Sequence, residues 1–192
     1  MPARNQAALD FLLSRRSRPA KTLASPVPDR GALTEILTAA ARVPDHGKLE
    51  PWRFIVLERP ALDRLVAIAR TRAGELGKDE ADTAKAVSQF ADSPLAVAVI
   101  EVPRDHPKIP VIEQTWSAGA ACLSLVNAAL AAGWGANWLT GWCAHDAEFG
   151  LRALGLAEGE RVVGFVHIGT ESAIPPERPR PDLDKVVTWL SE

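Results

Sequence analysis

Apolar residues recur along this chain with two different spacings, and each spacing predicts its own kind of element. Repeats of three and four residues place apolar side chains on one face of an α-helix, whereas short, nearly continuous apolar runs are typical of strands. The helical spacing predicts helices over residues 4–16, 29–42, 61–76, 80–91, 111–132 and 146–154. The apolar runs predict strands over residues 52–57, 95–102, 136–142 and 161–169.

Three of these predictions rest on specific residues. Asp29 is expected to cap the second helix, because its side chain can accept a hydrogen bond from a free N–H of the first turn. The run 95–102 is of the type that a sheet buries on both faces. Residues 111–132 are apolar almost all round, so a sheet, other helices or a partner subunit must enclose them. Without an internal repeat or a linker, residues 1–192 are predicted to form one α+β or three-layer domain around one sheet.

Composition and charge bear on the class of partner. The net charge is −2, from 22 basic and 24 acidic side chains, which gives no electrostatic reason to expect a nucleic acid or a membrane as partner. Cys122 and Cys143 lack the spacing of metal ligands, so we expect no metal site and a reducing, cytoplasmic environment. Residues 115–144 carry no charged side chain but are interrupted at Gly133 and Gly135. We interpret them as a buried helix followed by a buried strand rather than as a membrane span.

Two segments in the first half of the chain carry more polar chemistry than folding requires. The first follows the first predicted helix and consists of Arg15, Arg16 and Ser17. Its basic residues either meet the negative end of the helix dipole or hold a phosphate in their guanidinium forks. The second is the loop after the second predicted helix, with Arg42 and His46. The histidine there is either an ordinary surface or capping residue of a turn or a catalytic residue.

Two segments in the second half are unusual in other ways. Glycines interrupt residues 133–141, and a glycine lets the backbone approach a neighbouring chain or a planar ligand closely. Arg178 and Arg180 lie in a tail, residues 173–182, that is rich in Pro and Arg. Without a ligand they are solvated charges on an extended tail. Because the chain becomes apolar again after this tail, we expect it to dock on another surface, with a second copy of the chain as one candidate.

Familiar catalytic arrangements do not account for these segments. The sequence contains neither G-x-S-x-G nor H-E-x-x-H, and no phosphate-binding loop or G-x-G-x-x-G after a strand. It has no tyrosine, and its four histidines lie in unrelated contexts. Sites for anions and for close approach, with little acid–base machinery, favour an enzyme whose chemistry is carried by an organic cofactor.

In their order and spacing, these segments resemble the FMN-dependent nitroreductase family, and within it the short NAD(P)H nitroreductase subgroup. The similarity runs nearly from end to end. It covers R-R-S, A-R-V-P-D-H-x-x-x-x-P-W-x-F-x-V-x-E, W-x-x-G-A-A, G-x-x-A-N-W-x-T-G, V-G-F-V-H-I-G-T and R-P-R-P. The chain departs from the family before Pro51, where many members have a Ser/Asn-rich loop ending in Gln and this chain has Lys48 and Glu50.

The resemblance implies a fold and an assembly. The expected fold is the nitroreductase-like three-layer α+β fold, with a central, mostly antiparallel sheet flanked by helices. The expected assembly is a homodimer in which the C-terminal tails are exchanged. Two FMN molecules would lie at the interface between the subunits, each lined by both chains.

The resemblance also implies roles for the residues singled out above. The phosphate and ribityl end of FMN would be held by Arg15, Arg16 and Ser17, with Arg178 and Arg180 closing on the same phosphate. The residues reaching the flavin from the partner subunit would be Arg42 and His46. The backbone of Thr140 and Gly141 would lie along the isoalloxazine ring, with Trp138 and Leu139 nearby.

The implied activity is hydride transfer from NAD(P)H through flavin N5 to a nitroaromatic, quinone or similar planar acceptor in a ping-pong mechanism. No side chain is expected to be a catalytic residue, because the cofactor carries the chemistry. Two alternatives stay open: a flavin-binding or flavin-remodelling protein of the same fold, and a dimeric interaction module without flavin. No motif indicates the acceptor or a preference between NADH and NADPH.

Overall fold

The computed structural model describes residues 3–191, which form helices on both faces of one antiparallel sheet. The helices are α1 Gln6–Ser14, α2 Arg30–Ala40, α3 Arg59–Glu75, α4 Glu80–Ala91, α5 Val111–Ala131, α6 Ala147–Phe149 and α7 Leu183–Val186. The strands are β1 Leu23–Ala24, β2 Trp52–Leu57, β3 Ala96–Glu101, β4 Gly135–Leu139 and β5 Arg161–Glu171. Single 3-10 turns lie at Ala20–Thr22, His46–Lys48 and Trp142–Ala144, and a π-helical turn, Gly150–Leu154, follows α6 directly.

Strand β5 is the strand that joins the sheet together. It pairs with β1, β3 and β4, and β3 pairs in turn with β2, always in the antiparallel direction. All six residues of β3 are buried, which confirms the prediction of a strand covered on both faces. The α+β class and the antiparallel sheet are therefore confirmed.

Each face of the sheet has its own apolar core. On one face, Phe90 of α4 meets Phe165 of β5 edge-on at 5.1 Å between ring centroids and stacks on Phe149 at 5.9 Å. On the other face, α2 and α5 pack against the side chains of β3 that point the opposite way, such as Val97 and Val99. This sandwich gives the three layers that the sequence predicts.

Several element boundaries differ from the predictions for local reasons. Helix α1 ends at Ser14 rather than at residue 16, and Arg15 already has extended backbone angles. Strand β4 ends at Leu139 rather than at residue 142, because Gly141 turns the chain with a φ of 66°. The predicted helix over 146–154 is a single α-helical turn followed by a π-helical turn.

The cap of α2 is as predicted: the Asp29 carboxylate accepts the N–H of Ala32 at 2.9 Å. Within residues 3–191, no helix combines the length and the apolar character that crossing a membrane requires. The apolar stretch 115–144 is instead the larger part of α5 followed by β4, which agrees with its interpretation as a helix and a strand.

Helix α5 is enclosed on one side only. Ala118, Ala121 and Leu125 are fully buried, whereas Trp116 and Leu123 are 65% and 47% exposed. We call the exposed apolar residues Ile112, Trp116 and Leu123 the α5 stripe. Their spacing of four and seven residues places them along one face of the helix. No element within residues 3–191 covers this face, so the predicted enclosure is complete only if another surface covers it.

Candidate functional site

Arg15, Arg16 and Ser17 lie where α1 gives way to extended chain. The Arg15 guanidinium donates to Ser17 Oγ at 3.2 Å, while its Nε is buried without a hydrogen-bond partner in residues 3–191. Burial, and next the positive charge of Arg180, hold the pKa of Arg15 below its usual value. A buried, unpaired guanidinium nitrogen beside a second arginine is an arrangement that an anion would complete.

The C-terminal tail returns to this segment. The Arg16 guanidinium donates to the carbonyl oxygen of Pro176 at 2.7 Å, and Arg180 pairs with Glu177 at 2.9 Å. The Arg178 guanidinium makes no hydrogen bond or ion pair within the described part of the chain. The structure therefore brings Arg15, Arg16 and Arg180 together and leaves Arg178 pointing into solvent.

Two hydrogen bonds of the Arg18 backbone connect the segment of the arginine cluster to β4. The N–H of Arg18 donates to the carbonyl oxygen of Ala136 at 2.9 Å, and the side-chain amide of Asn137 donates to the carbonyl oxygen of Arg18 at 2.7 Å. Since β4 contains Trp138 and Leu139, one strand connects the segment after α1 with the predicted ring end of the site.

Trp138 lies over a glycine of the neighbouring strand. Its indole N–H donates to the carbonyl oxygen of Val163 at 3.3 Å. A Cβ at Gly164 would stand 1.9 Å from the indole nitrogen, so only glycine leaves room for the ring in this position. The position of the Trp138 indole thus explains why the V-G-F-V-H segment has glycine at residue 164.

Thr140 and Gly141 follow β4 as an open turn. Neither backbone N–H donates a hydrogen bond within residues 3–191, so two consecutive donors are free for a ligand or for water. A Cβ at Gly141 would stand 3.3 Å from the side-chain oxygen of Gln89, and the φ of 66° independently favours glycine. This is a place where the backbone itself can face a bound molecule closely.

A cavity of about 490 Å³ lies beside this turn. Its second wall is the polar face of α4, with Lys85, Ser88 and Gln89, and Lys21 closes it from the N-terminal side. Sequence reasoning missed these residues, because any solvated helix face shows polar side chains at such spacing. The amide nitrogen of Gln89 and the indole nitrogen of Trp142 are buried donors without a partner in residues 3–191.

These observations test whether FMN fits the site. The FMN phosphate would bind to the arginine cluster. The edge of the FMN ring carries several acceptor atoms, and these would accept hydrogen bonds from the free N–H groups and from the unpaired donors of the cavity wall. The donor set therefore suits an anionic, planar and acceptor-rich ligand. No group of His, Cys, Asp and Glu suited to a metal ion occurs within residues 3–191.

Arg42 is exposed just after α2, and His46 lies far from the arginine cluster. His46 Nδ1 lies 2.7 Å from a carboxylate oxygen of Glu113 in the first turn of α5, whereas Arg15 lies beside Leu130 near the end of that helix. Seventeen residues of helix separate these positions, which is about 25 Å at 1.5 Å per residue. A single chain therefore does not bring the two predicted halves of the site together.

The loop that carries these two residues is firmly held. The Asp45 carboxylate accepts the N–H groups of Leu49 and Glu50 at 3.1 and 2.8 Å. Lys48 and Glu50 both have positive φ values, 54° and 47°, which non-glycine residues adopt rarely. The two residues that depart from the family pattern thus lie in a strained turn that Asp45 stabilises.

The two cysteines offer no further chemistry. Both are free and buried, and burial raises the pKa of the Cys122 thiol far above its usual range and that of Cys143 to about 12. At neutral pH both thiols therefore stay protonated, whereas the thiolate is the form that acts as a nucleophile or a metal ligand.

Comparison with known proteins gives consistent results. The family model described as "Nitroreductase family" matches residues 12–170. "Putative NAD(P)H nitroreductase YdjA" of Escherichia coli K12 is 35% identical over 163 residues, which cover 85% of this chain and 87% of that protein. The "Putative NAD(P)H nitroreductase" of Haemophilus influenzae is 37% identical over 164 residues, which cover 85% of this chain and 88% of that protein.

Solved structures share the fold. The nitroreductase-like family protein from Bacillus cereus superimposes with a TM-score of 0.78 at 23% identity and full coverage of both chains. A Desulfovibrio desulfuricans structure titled as a "putative nitroreductase in complex with fmn" gives a TM-score of 0.74 at 21% identity, with 98% of each chain covered.

Proposed function

The chain belongs to the nitroreductase family, a family of oxidoreductases, and on that premise we propose that it is an FMN-dependent enzyme that oxidises NAD(P)H. The observation that carries this proposal is the pair of free N–H groups at Thr140 and Gly141, which border a cavity walled by Lys21 and Gln89. When bound, FMN would accept a hydride at N5 and pass it to a nitroaromatic, quinone or similar planar acceptor in a ping-pong cycle.

In this proposal the chain binds and orients, and the cofactor carries the reaction. Arg15, Arg16 and Arg180 bind the phosphate, with Ser17 beside it, and Arg178 turns in from solvent to join them. Trp138 and Leu139 flank the isoalloxazine ring, and the N–H groups after them donate to its acceptor edge. Because the nicotinamide delivers a hydride directly, the proposal needs no catalytic acid or base from a side chain.

We further propose that the functional unit is a homodimer with a flavin in each of two shared sites. Arg15 and His46 lie at opposite ends of α5, and the α5 stripe lies between them. A twofold axis through the middle of that stripe would pair the two helices in opposite directions. The His46 end of one chain, with Arg42, would then meet the arginine cluster of the other.

The C-terminal segment supports the same assembly. Beyond the turn of α7, Trp189 and Leu190 are 90% and 88% exposed in the single chain. Large apolar side chains at this exposure favour burial against another surface. We propose that the segments beyond α7 are exchanged between the subunits of the dimer, while residues 173–182 stay beside Arg16 of their own chain. From the two free thiols we propose that the protein works in the reducing cytoplasm.

The test is an absorbance spectrum of the purified protein before and after anaerobic addition of NADPH, and separately of NADH. We expect a yellow protein whose flavin band bleaches within the mixing time with at least one of the two nucleotides. A yellow protein that stays oxidised with both would favour a flavin-binding or flavin-remodelling role. A colourless protein that takes up no added FMN would refute the proposal.

A further inference from the structure

The turn that presents the free N–H groups is held by a chain of backbone hydrogen bonds that ends at Asp146. The N–H of Ala144 donates to the carbonyl oxygen of Gly141 at 3.2 Å. The N–H groups of His145 and Asp146 both donate to the carbonyl oxygen of Trp142, at 3.0 and 3.1 Å. The orientation of Gly141 is therefore coupled to the position of Asp146 through a short and closed piece of backbone.

The carboxylate of Asp146 is fixed on both sides. One of its oxygens accepts the N–H of Phe149 at 2.7 Å, which caps α6. Both oxygens accept from the guanidinium of Arg72 in α3, at 2.9 Å each. The two side chains are 19% and 15% exposed, and the ion pair lowers the pKa of Asp146, so the carboxylate is charged and shielded at neutral pH.

Arg72 is anchored in a part of the molecule far from the cavity wall in sequence. It belongs to the helix whose residues Leu65 and Ala69 are fully buried in the core. The bidentate contact fixes distance and angle together, because a planar fork meets both carboxylate oxygens in one orientation. The ion pair thereby connects the turn at residues 140–146 to a rigid core helix, so the backbone of the turn does not set its position alone.

We infer that Arg72 and Asp146 are positioning residues for the flavin: without touching it, they hold the N–H groups of Thr140 and Gly141 at the angle that the ring requires. This inference rests on the proposed function, since it assumes that FMN lies at that turn. A hydrogen bond weakens steeply as its angle closes, so small rotations of this turn matter. Supporting contacts of this kind decide how precisely a site is held.

The expected consequence can be separated from a general loss of stability. N5 of oxidised flavin has a lone pair that accepts a hydrogen bond, whereas N5 of reduced flavin carries its own hydrogen. Misdirecting the N–H groups therefore weakens the binding of oxidised flavin more than the binding of reduced flavin. Loss of one such bond reduces affinity by about tenfold. If that loss is confined to the oxidised form, the two-electron potential rises by about 30 mV.

The experiment compares four proteins: wild type, Asp146→Asn, Arg72→Gln and Arg152→Gln. Asn keeps the shape of Asp and can still cap α6, but it cannot form the ion pair. Arg152 is the control from the same ion-pair network, because it shares Glu75 with Arg72 and pairs with Glu148, but makes no hydrogen bond or ion pair with Asp146. For each protein we would measure the dissociation constant for oxidised FMN by fluorescence, the midpoint potential and the unfolding temperature.

We expect Asp146→Asn and Arg72→Gln to weaken FMN binding by about tenfold, with potentials raised by about 30 mV, and Arg152→Gln to match wild type. The double variant should be no worse than either single one, because both remove the same contact. Arg72→Lys should fold if Arg72→Gln does not, and should restore affinity only in part, because lysine keeps the charge without the fork.

Unchanged affinity and potential in both single variants, with lower unfolding temperatures, would overturn the inference and leave the pair a purely structural contact. Equal changes in Arg152→Gln would also overturn it, since the effect would not be specific to Asp146. If wild type itself binds no FMN, the proposed function falls and this inference falls with it. The wild-type measurement therefore separates the two failures.

Discussion

Replacing Leu123 by Asp is expected to split the proposed dimer into folded monomers. Leu123 lies in the α5 stripe and is 47% exposed in the single chain. Full burial of a leucine stabilises by about 1.5–3 kcal/mol, so covering the remaining half contributes about 1 kcal/mol per chain. A twofold axis repeats every contact, which brings the apolar contribution of this position to about 2 kcal/mol per dimer.

The introduced charge adds a larger effect. An unpaired carboxylate placed in an interface costs several kcal/mol, and the twofold axis introduces one from each chain. We therefore expect a total loss of at least about 4 kcal/mol, which raises the dissociation constant of the dimer by about a thousandfold or more. Because each flavin site is proposed to use both chains, FMN affinity should fall in parallel.

The assay is sedimentation velocity over a wide range of protein concentrations, with circular dichroism as a check on folding. The matched control is Leu151→Asp, at a leucine that is 56% exposed on the π-helical turn after α6. We expect Leu123→Asp to sediment as a folded monomer and Leu151→Asp to behave as wild type. If Leu123→Asp assembles as wild type does, the α5 stripe is not the subunit interface.

Three further predictions concern single residues. Arg16→Ala should weaken FMN binding about tenfold or more by fluorescence titration, since a charge-assisted hydrogen bond contributes about 1.5–3 kcal/mol, whereas Arg178→Ala should have a smaller effect. Gly164→Ala should displace the indole of Trp138 and lower stability by about 1–3 kcal/mol in urea unfolding; an unchanged tryptophan spectrum would contradict this. Burial holds the pKa of His167 at about 4, so between pH 6.5 and 4 the unfolded chain binds a proton that the folded chain does not. Stability should therefore fall by up to about 3 kcal/mol as the pH drops through that window, and His167→Gln should remove most of this dependence.

The parts of the structure that the sequence predicts well are those set by local chemistry. The cap at Asp29 depends on residues three positions apart, and the apolar run of β3 reports its burial directly. The grouping of Arg15, Arg16 and Arg180 was predicted through the family resemblance rather than from local pattern. Composition alone left the arginines open to an ordinary helix-dipole role.

The parts that the sequence does not predict depend on contacts between distant segments. β1 is two residues long, and only its pairing with the end of β5 makes it a strand. The cavity wall formed by Lys85 and Gln89 has the pattern of any solvated helix face. The contact between Arg72 and Asp146 joins residues 74 positions apart, and no sequence pattern predicts such a contact.

The central place of β5 has a consequence for how the protein is made. Three of the other strands pair with β5, yet it is the last of the described strands to leave the ribosome. Until then β3 can pair only with β2, and its second edge, with apolar side chains at every position except Glu101, lies open. An open apolar strand edge invites pairing with other chains. We therefore expect the nascent chain to be most prone to aggregation in the interval before β5 emerges and closes the sheet.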